Sequence, residues 1–242
     1  MQINWYPGHM AKAKREMERM IKLSDVAVEI VDARAPLSTR NPDLDKMLGT
    51  KPSVIILNKE DLADNNLTRA WQQYFFDRGW NAVSFCAKKQ GGREKLLHAI
   101  QRAAQPLIDR WAQKGANKIV RVMISGIPNV GKSSIINCLS GGQRAKTGAT
   151  PGVTRGKQWV RLSPTLELLD TPGILWPKLE DEQGAKRLAF LNAIRDEVLE
   201  QEEIAVGLVE NLQTAAPKAI QARYGVETEE KQPYEILKGI GR

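Results

Sequence analysis

The chain has 242 residues, with 36 Lys and Arg against 28 Asp and Glu, for a net charge of +8. That length allows one large or two modest domains, and the two cysteines, Cys86 and Cys138, exclude a disulfide framework. No apolar run approaches the ~18 residues of a membrane span, the N-terminus lacks the apolar core of a secretory signal, and two histidines without a Cys/His cluster argue against zinc. These absences favour a reducing cytoplasm, with the mature form of an imported protein as the alternative. The charge is uneven: residues 178–210 hold nine acids against four bases, a local −5 that leaves +13 on the rest. A basic body suits a polyanionic partner, most simply nucleic acid; plain solubility is the bland alternative.

In chain order, "HMAKAKREMERMIKL" (9–23) predicts a helix whose Met10, Met17, Met20, Ile21 and Leu23 form an apolar stripe. Lys12, Lys14, Arg15 and Arg19 fall largely off that stripe. With Trp5 and Tyr6 they are candidate RNA contacts, or else a solvated basic face. "VAVEIVDAR" (26–34) reads as a buried strand with a polar tip, "DLDKMLG" (43–49) as a helix, and "SVIILNKED" (53–61) as the next strand. A helix over 67–79, a strand-then-loop over 81–89 and a helix over 92–104 ending near Pro106 follow. A polar connector at about 109–118 leads to a strand at 119–126 and the helix "KSSIINCLSG". Strands at 157–162 and 166–173 come next, and after Trp176-Pro177 the texture becomes amphipathic helix. Strands alternating with helices predict an α/β domain on a parallel-rich sheet, followed by a small all-α domain. The expected boundaries are a basic helical extension over 1–24 packed on the nucleotide domain, that domain over 25–176, and a helical domain over 177–242.

Gly126-x-x-x-x-Gly131-Lys132-Ser133 follows a strand and opens a helix, the context a phosphate-binding loop requires. Its backbone N–H groups and the helix N-terminus would cradle phosphate, Lys132 would reach the β/γ-phosphates, and the Ser133 hydroxyl would hold Mg²⁺. Asp170-x-x-Gly173 ends a strand about forty residues later. Asp170 would join the Mg²⁺ sphere through water and the Gly173 N–H would sense the γ-phosphate, though Asp-x-Pro-Gly is also an ordinary turn. Thr154, between the two, would complete the metal sphere.

Asn58-Lys59-Glu60-Asp61, at the end of an apolar strand, is the pattern of a guanine reader. A carboxylate at Asp61 accepts from guanine N1–H and N2–H₂; adenine presents no such pair and would leave it unpaired. The Lys59 stem would cover one face of the base. Cys86-Ala87-Lys88 would supply the other side, with the Ala87 N–H to guanine O6 and Lys88 over the ring. Nucleotide contacts are thus expected from Asn58, Lys59, Glu60, Asp61, Cys86, Ala87 and Lys88, from Asn129, Val130, Gly131, Lys132, Ser133 and Ser134, and from Gly173. Together they favour GTP over ATP.

The base reader precedes the phosphate loop, so the motifs are rotated relative to the usual order. Loops on separate strand tips can meet in any sequence order, so this reads as a circularly permuted GTPase domain. Its old termini would be joined near 109–118 and its new cut would fall after Asp-x-x-Gly. The segment that senses the γ-phosphate would then run directly into the helical domain and reorient it.

"NWYPGHMAKA" (3–12), "DARAPLSTRNP" (32–42), "GIPNVGKSS" (126–134) and the permuted order together resemble the YlqF/YawG family of circularly permuted GTPases, over nearly the whole chain. The resemblance implies a cytoplasmic assembly factor for the large ribosomal subunit that contacts rRNA, with GTP binding and hydrolysis setting its dwell. It also implies an RNA-contacting helical C-terminal domain, and relatives that run somewhat past Arg242. Cys86 departs from the family's more frequent Ser. The rival readings are a GTPase switch in RNA modification or processing and a regulatory GTP-binding module.

Ile174, after Asp-x-x-Gly, cannot orient water, so intrinsic hydrolysis should be slow and helped from elsewhere. Asn129 is a candidate to help hold K⁺ beside the phosphates, or only stabilises its loop. His9 is a candidate to polarise the attacking water, or pairs with RNA phosphate or packs on Trp5. Docked ribosomal particles are a third source of activation.

Overall fold

A computed structural model describes residues 7–89, 91–141, 159–169, 182–193 and 201–241, with backbone only for 7–13 and 182. They form two compact units, one spanning 7–169 and the other 182–241.

The first unit is a six-stranded sheet with strands β1 (Val26–Asp32), β2 (Ser53–Asn58), β3 (Asn81–Phe85), β4 (Val120–Ser125), β5 (Trp159–Ser163) and β6 (Leu166–Leu169). Their order across the sheet is β3-β2-β1-β4-β6-β5. All neighbours are parallel except the β5/β6 hairpin. The first three strands step outward from β1, and the chain then returns to the other side of β1 to lay down β4. The β1/β4 pair is therefore where the winding reverses, and the crevice beyond the strand C-termini there is where such sheets bind ligands. The runs of β1, β2 and β4 are rich in Val and Ile, and β1 is buried along its whole length, as a strand covered on both faces must be.

Helices α1 (Pro7–Leu23), α2 (Pro36–Thr39), α3 (Leu44–Leu48), α4 (Asn65–Phe76), α5 (Arg93–Ala112) and α6 (Lys132–Ser140) flank this sheet. In α1 the buried face is Met17, Met20 and Ile21, packed with Ala27, Leu44, Met123 and Leu169. Leu23 departs from the expected stripe: it is 39% exposed, because it lies six residues beyond Met17 and so points away from that face. Helix α4 starts where Asp64 accepts from the N–H groups of Asn66 and Leu67 at 2.8 and 2.9 Å.

Two expectations are corrected. Helix α5 does not end near Pro106 but runs on to Ala112, so the connector is shorter. Pro106 is exposed, and the Arg102 carbonyl it leaves without a helical partner lies on the side open to water. The polar tail predicted for the second strand is a separate turn of 3₁₀ helix, Glu60–Leu62.

Alternate residues of β1 face one way: Ala27 in the α1 cluster, Val31 in a second cluster with Ile55, Leu57 and Phe75, and Glu29 between them. Glu29 is buried and takes Arg40 Nε at 2.7 Å and the Asn41 N–H at 2.7 Å. Burial pushes its carboxyl up, while Arg40 and the Asn41 N–H pull it back. Arg40 also reaches Asp45 at 2.5 Å and stacks 4.2 Å from the Trp80 ring. The "STRNP" stretch is thus clamped into the sheet by a charge that would otherwise be stranded.

The second unit contains α7 (Glu182–Phe190), α8 (Gln201–Ala215), α9 (Pro217–Tyr224) and α10 (Pro233–Ile240). Its core is Val209, Ile220 and Ile236 with Val226, Leu237 and Ile240. Prolines open α9 and α10, where a missing N–H costs nothing, and Gln232 and Glu235 close a capping box on α10. Gln213 pins the preceding loop by donating to the carbonyls of Thr228 and Lys231 at 2.8 and 2.9 Å. Among the described residues, no helix is long and apolar enough to cross a membrane.

Candidate guanine nucleotide site

The tips of β1, β2, β3 and β4 lie on the same edge of the sheet because the four strands are parallel. They carry Asp32, Asn58-Lys59-Glu60-Asp61, Cys86-Ala87-Lys88 and the loop from Gly126 to Lys132 respectively.

The phosphate loop leaves β4 through Gly126, whose φ is +155°. A Cβ there would sit 2.6 Å from the Ile30 carbonyl oxygen of β1 and 3.0 Å from Val130 Cγ2, so only glycine fits. Asn129 holds φ +62°, a left-handed conformation that Asn tolerates better than most residues. Val130 is buried, and Ser133 and Ser134 stand in the first turn of α6. Lys132 Nζ donates to the carbonyls of Gly126 and Ile127, both at 3.1 Å, so its ammonium lies back across the loop.

Asn58 ties three tips together. Its Nδ2 donates to the Val130 carbonyl at 2.7 Å, and its Oδ1 accepts from the Ala87 N–H at 3.3 Å. A Cβ on Gly131 would collide with the same Nδ2. The base-reading strand is thereby pinned to a phosphate loop that begins about seventy residues later in sequence. The Ala87 N–H, expected to serve guanine O6, is turned here to the Asn58 amide through a long bond.

Lys59 has φ +62°, an uncommon conformation for lysine, and its Nζ pairs with Asp32 Oδ2 at 2.9 Å. Asp32 is buried and also takes a two-pronged contact from Arg34, Nε at 2.8 Å and Nη2 at 2.7 Å. Burial alone would raise the Asp32 carboxyl, but the Arg34 and Lys59 bonds and charges hold it below the usual range. Asp61 is exposed beside them. A hydrogen bond from the Cys86 side chain holds its carboxyl below the usual range, against a small opposing effect of burial. Cys86 itself is buried.

The reading of "VAVEIVDAR" as a buried strand with a polar tip did not show that Asp32, in that tip, holds Lys59. The available signal was the polar run "DAR" at the end of a buried strand. His9 and Lys12 fall on the backbone of α1, but their side chains lie outside the description. Lys14, Arg15 and Arg19 are exposed on α1. Thr154, Asp170, Gly173 and Ile174, with Trp5 and Tyr6, lie outside the described residues. Of the proposed Mg²⁺ ligands, only Ser133 is therefore described, at the helix start where the motif requires it.

The motifs at 126–133 and 58–61, pinned together on neighbouring tips of a parallel sheet, mark a P-loop GTPase domain with its motifs in permuted order. The chain belongs to the ribosome biogenesis GTPase A family. It is 42% identical over 243 aligned residues to "Ribosome biogenesis GTPase A" of Bacillus cereus, an alignment covering 100% of this chain and 82% of that protein. The family described as "50S ribosome-binding GTPase" matches residues 121–237. A GDP-bound structure of TM YlqF superposes with TM-score 0.61 at 26% identity, covering 93% of this chain and 90% of that one. A GNP-bound YlqF from T. maritima gives TM-score 0.60 at 27% identity, with 95% of each chain covered.

Proposed function

We propose that this GTPase is an assembly factor for the large ribosomal subunit whose nucleotide state controls its association with rRNA. The observation that carries the nucleotide part is the Asn58 amide, which joins the phosphate loop at Val130 to the base-supporting loop at Ala87. In this reading Asp61 accepts from the guanine edge, the Lys59 stem and Lys88 flank the ring, and Glu60 and Cys86 shape the loops around it. The N–H groups of Asn129 to Ser134, with Lys132, receive the phosphates, and the Gly173 N–H senses the γ-phosphate. Ser133, Thr154 and Asp170 would hold Mg²⁺, which when bound neutralises charge on the β- and γ-oxygens.

Lys132, Thr154 and Gly173 would then stabilise charge in the transition state, with His9 polarising water. Asn129 is proposed to help bind K⁺. Faster GTP hydrolysis in potassium than in sodium is the expected result, and equal rates would remove that role. The family name carried by the relatives supports a ribosomal partner, and the net charge of +8 suits rRNA. Lys12, Lys14, Arg15 and Arg19 of α1 are proposed RNA contacts. The place of action would be where large subunits are assembled, the cytoplasm in a bacterium.

The test is co-sedimentation with mature and precursor large-subunit particles in GTP analogue, GDP or no nucleotide. Binding that depends on GTP analogue, with hydrolysis accelerated by the particles, is expected. No binding in any state, with guanine nucleotide binding intact, would redirect the search to RNA-modification complexes.

A further inference from the structure

We propose that a cleft on the outer edge of the sheet, remote from the nucleotide tips, binds one unpaired nucleotide of a single-stranded RNA segment. The cleft lies where α4 and α5 diverge beside the edge strand β3, and its volume is about 330 Å³. That is at the small end of ligand clefts, which run ~300–1,000 Å³, and suits one nucleotide better than a helix. It opens on the first residues of β3, Asn81 to Val83, whereas the base-supporting loop leaves the other end of that strand.

The lining is specific in its chemistry. Arg69 from α4 and Arg102 from α5 both reach the cleft, both are exposed, and among the described residues no carboxylate lines it. Two guanidinium groups without an acid between them are matched by phosphate oxygens. Phe76, 69% exposed, stands in the same wall and offers a ring for base stacking. The carboxamides of Gln73 and Asn81 add donors and acceptors for a base edge. A peptide adding a strand to β3 is disfavoured, because outward carbonyls of β3 are already taken: Ala82 by Gln72 Nε2 at 3.3 Å and Ser84 by Lys95 Nζ at 2.5 Å. Duplex RNA presents no free base face to Phe76. The nucleotide site uses none of these residues.

The inference rests on the reading of the chain as an RNA-associated factor, and the two fail separately. Particle sedimentation tests that reading, and titration of a labelled single-stranded oligouridine into the full chain tests the cleft. Wild type should bind the oligonucleotide, and Arg69→Ala/Arg102→Ala should weaken binding by about tenfold or more. It should also flatten the slope of log K against log salt by roughly 1.4, two phosphate contacts at ~0.7 each. Phe76→Ala should weaken binding by about tenfold with the salt slope unchanged, since stacking releases no counterions. Guanine nucleotide affinity should be unchanged in all three proteins. No oligonucleotide binding by wild type, or variants that bind with wild-type affinity and slope, would overturn the proposal. So would equal binding of an RNA duplex, or displacement by uridine monophosphate at equal concentration, which would make the occupant a free nucleotide.

Discussion

The carboxamide of Asn58 faces two loops at once, so its loss reaches further than one contact. Asn58→Ala would leave the buried Val130 carbonyl without its donor, at a cost of ~1–3 kcal/mol, and free the Ala87 loop. A loss of GDP affinity of about tenfold or more is expected by fluorescence titration, with the far-UV spectrum unchanged. Cys86 offers a finer probe. A thiol is a weak donor, so Cys86→Ser should hold Asp61 at least as well, whereas Cys86→Ala should lower guanine nucleotide affinity severalfold. Equal affinities in all three proteins would deny the Cys86 side chain any role. Asp32 gives a pH signature. A carboxyl depressed in the folded protein stabilises the fold above its unfolded pKa of ~3.9 and loses that contribution as pH falls through its folded value. The stability gap between wild type and Asp32→Asn, measured by urea unfolding, should hold steady near neutral pH and close only below about pH 4.

Among the elements, the segment from Pro36 to Leu48 depends on Arg40. That side chain spans Glu29, Asp45 and the Trp80 ring, and Glu29 has no access to water to replace it. Arg40→Ala should therefore cost ~3–5 kcal/mol, the price of a buried charge deprived of its partner, and lower Tm by roughly 10 °C. Arg40→Lys should rescue only part of this, because an ammonium lacks the planar fork that meets two carboxylates and stacks on a ring. Helix α5 holds the opposite kind of defect. Pro106 interrupts an otherwise continuous helix on its exposed side. Pro106→Ala should restore a backbone bond and raise stability by up to ~3 kcal/mol, read as an upward shift in the unfolding midpoint.

At the scale of the whole molecule, charge is the property that matters most. In the proposed association with ribosomal particles, the net +8 would make counterion release a large part of the driving force. Binding measured by sedimentation should weaken steeply and linearly on a log–log plot as salt rises, while GDP affinity changes far less. A shallow dependence would mean that protein rather than RNA makes most of the contact.

The GTPase family was legible in the chain itself. Gly126 to Ser133 and Asn58 to Asp61 are short runs whose residue types are dictated by local geometry, a tight loop at a helix start and a polar tip on a buried strand. Their inverted order revealed the permutation, and apolar runs located every described strand, Val- and Ile-rich in β1, β2 and β4. What lay beyond reach were relations between tips. The Asn58 bond to Val130 and the Asp32 grip on Lys59 depend on which strands are neighbours, and the Glu29–Arg40 clamp on how the segment after β1 folds back over it. The continuation of α5 through Pro106 depends on which side of that helix faces water, and the cleft between α4 and α5 on which strand forms the edge. Spacing along a chain encodes period and local turns, and so it determined the elements and the motifs of the candidate site. Sheet order and burial arise only when the elements pack, and so the tertiary structure alone decided which side chains hold that site together.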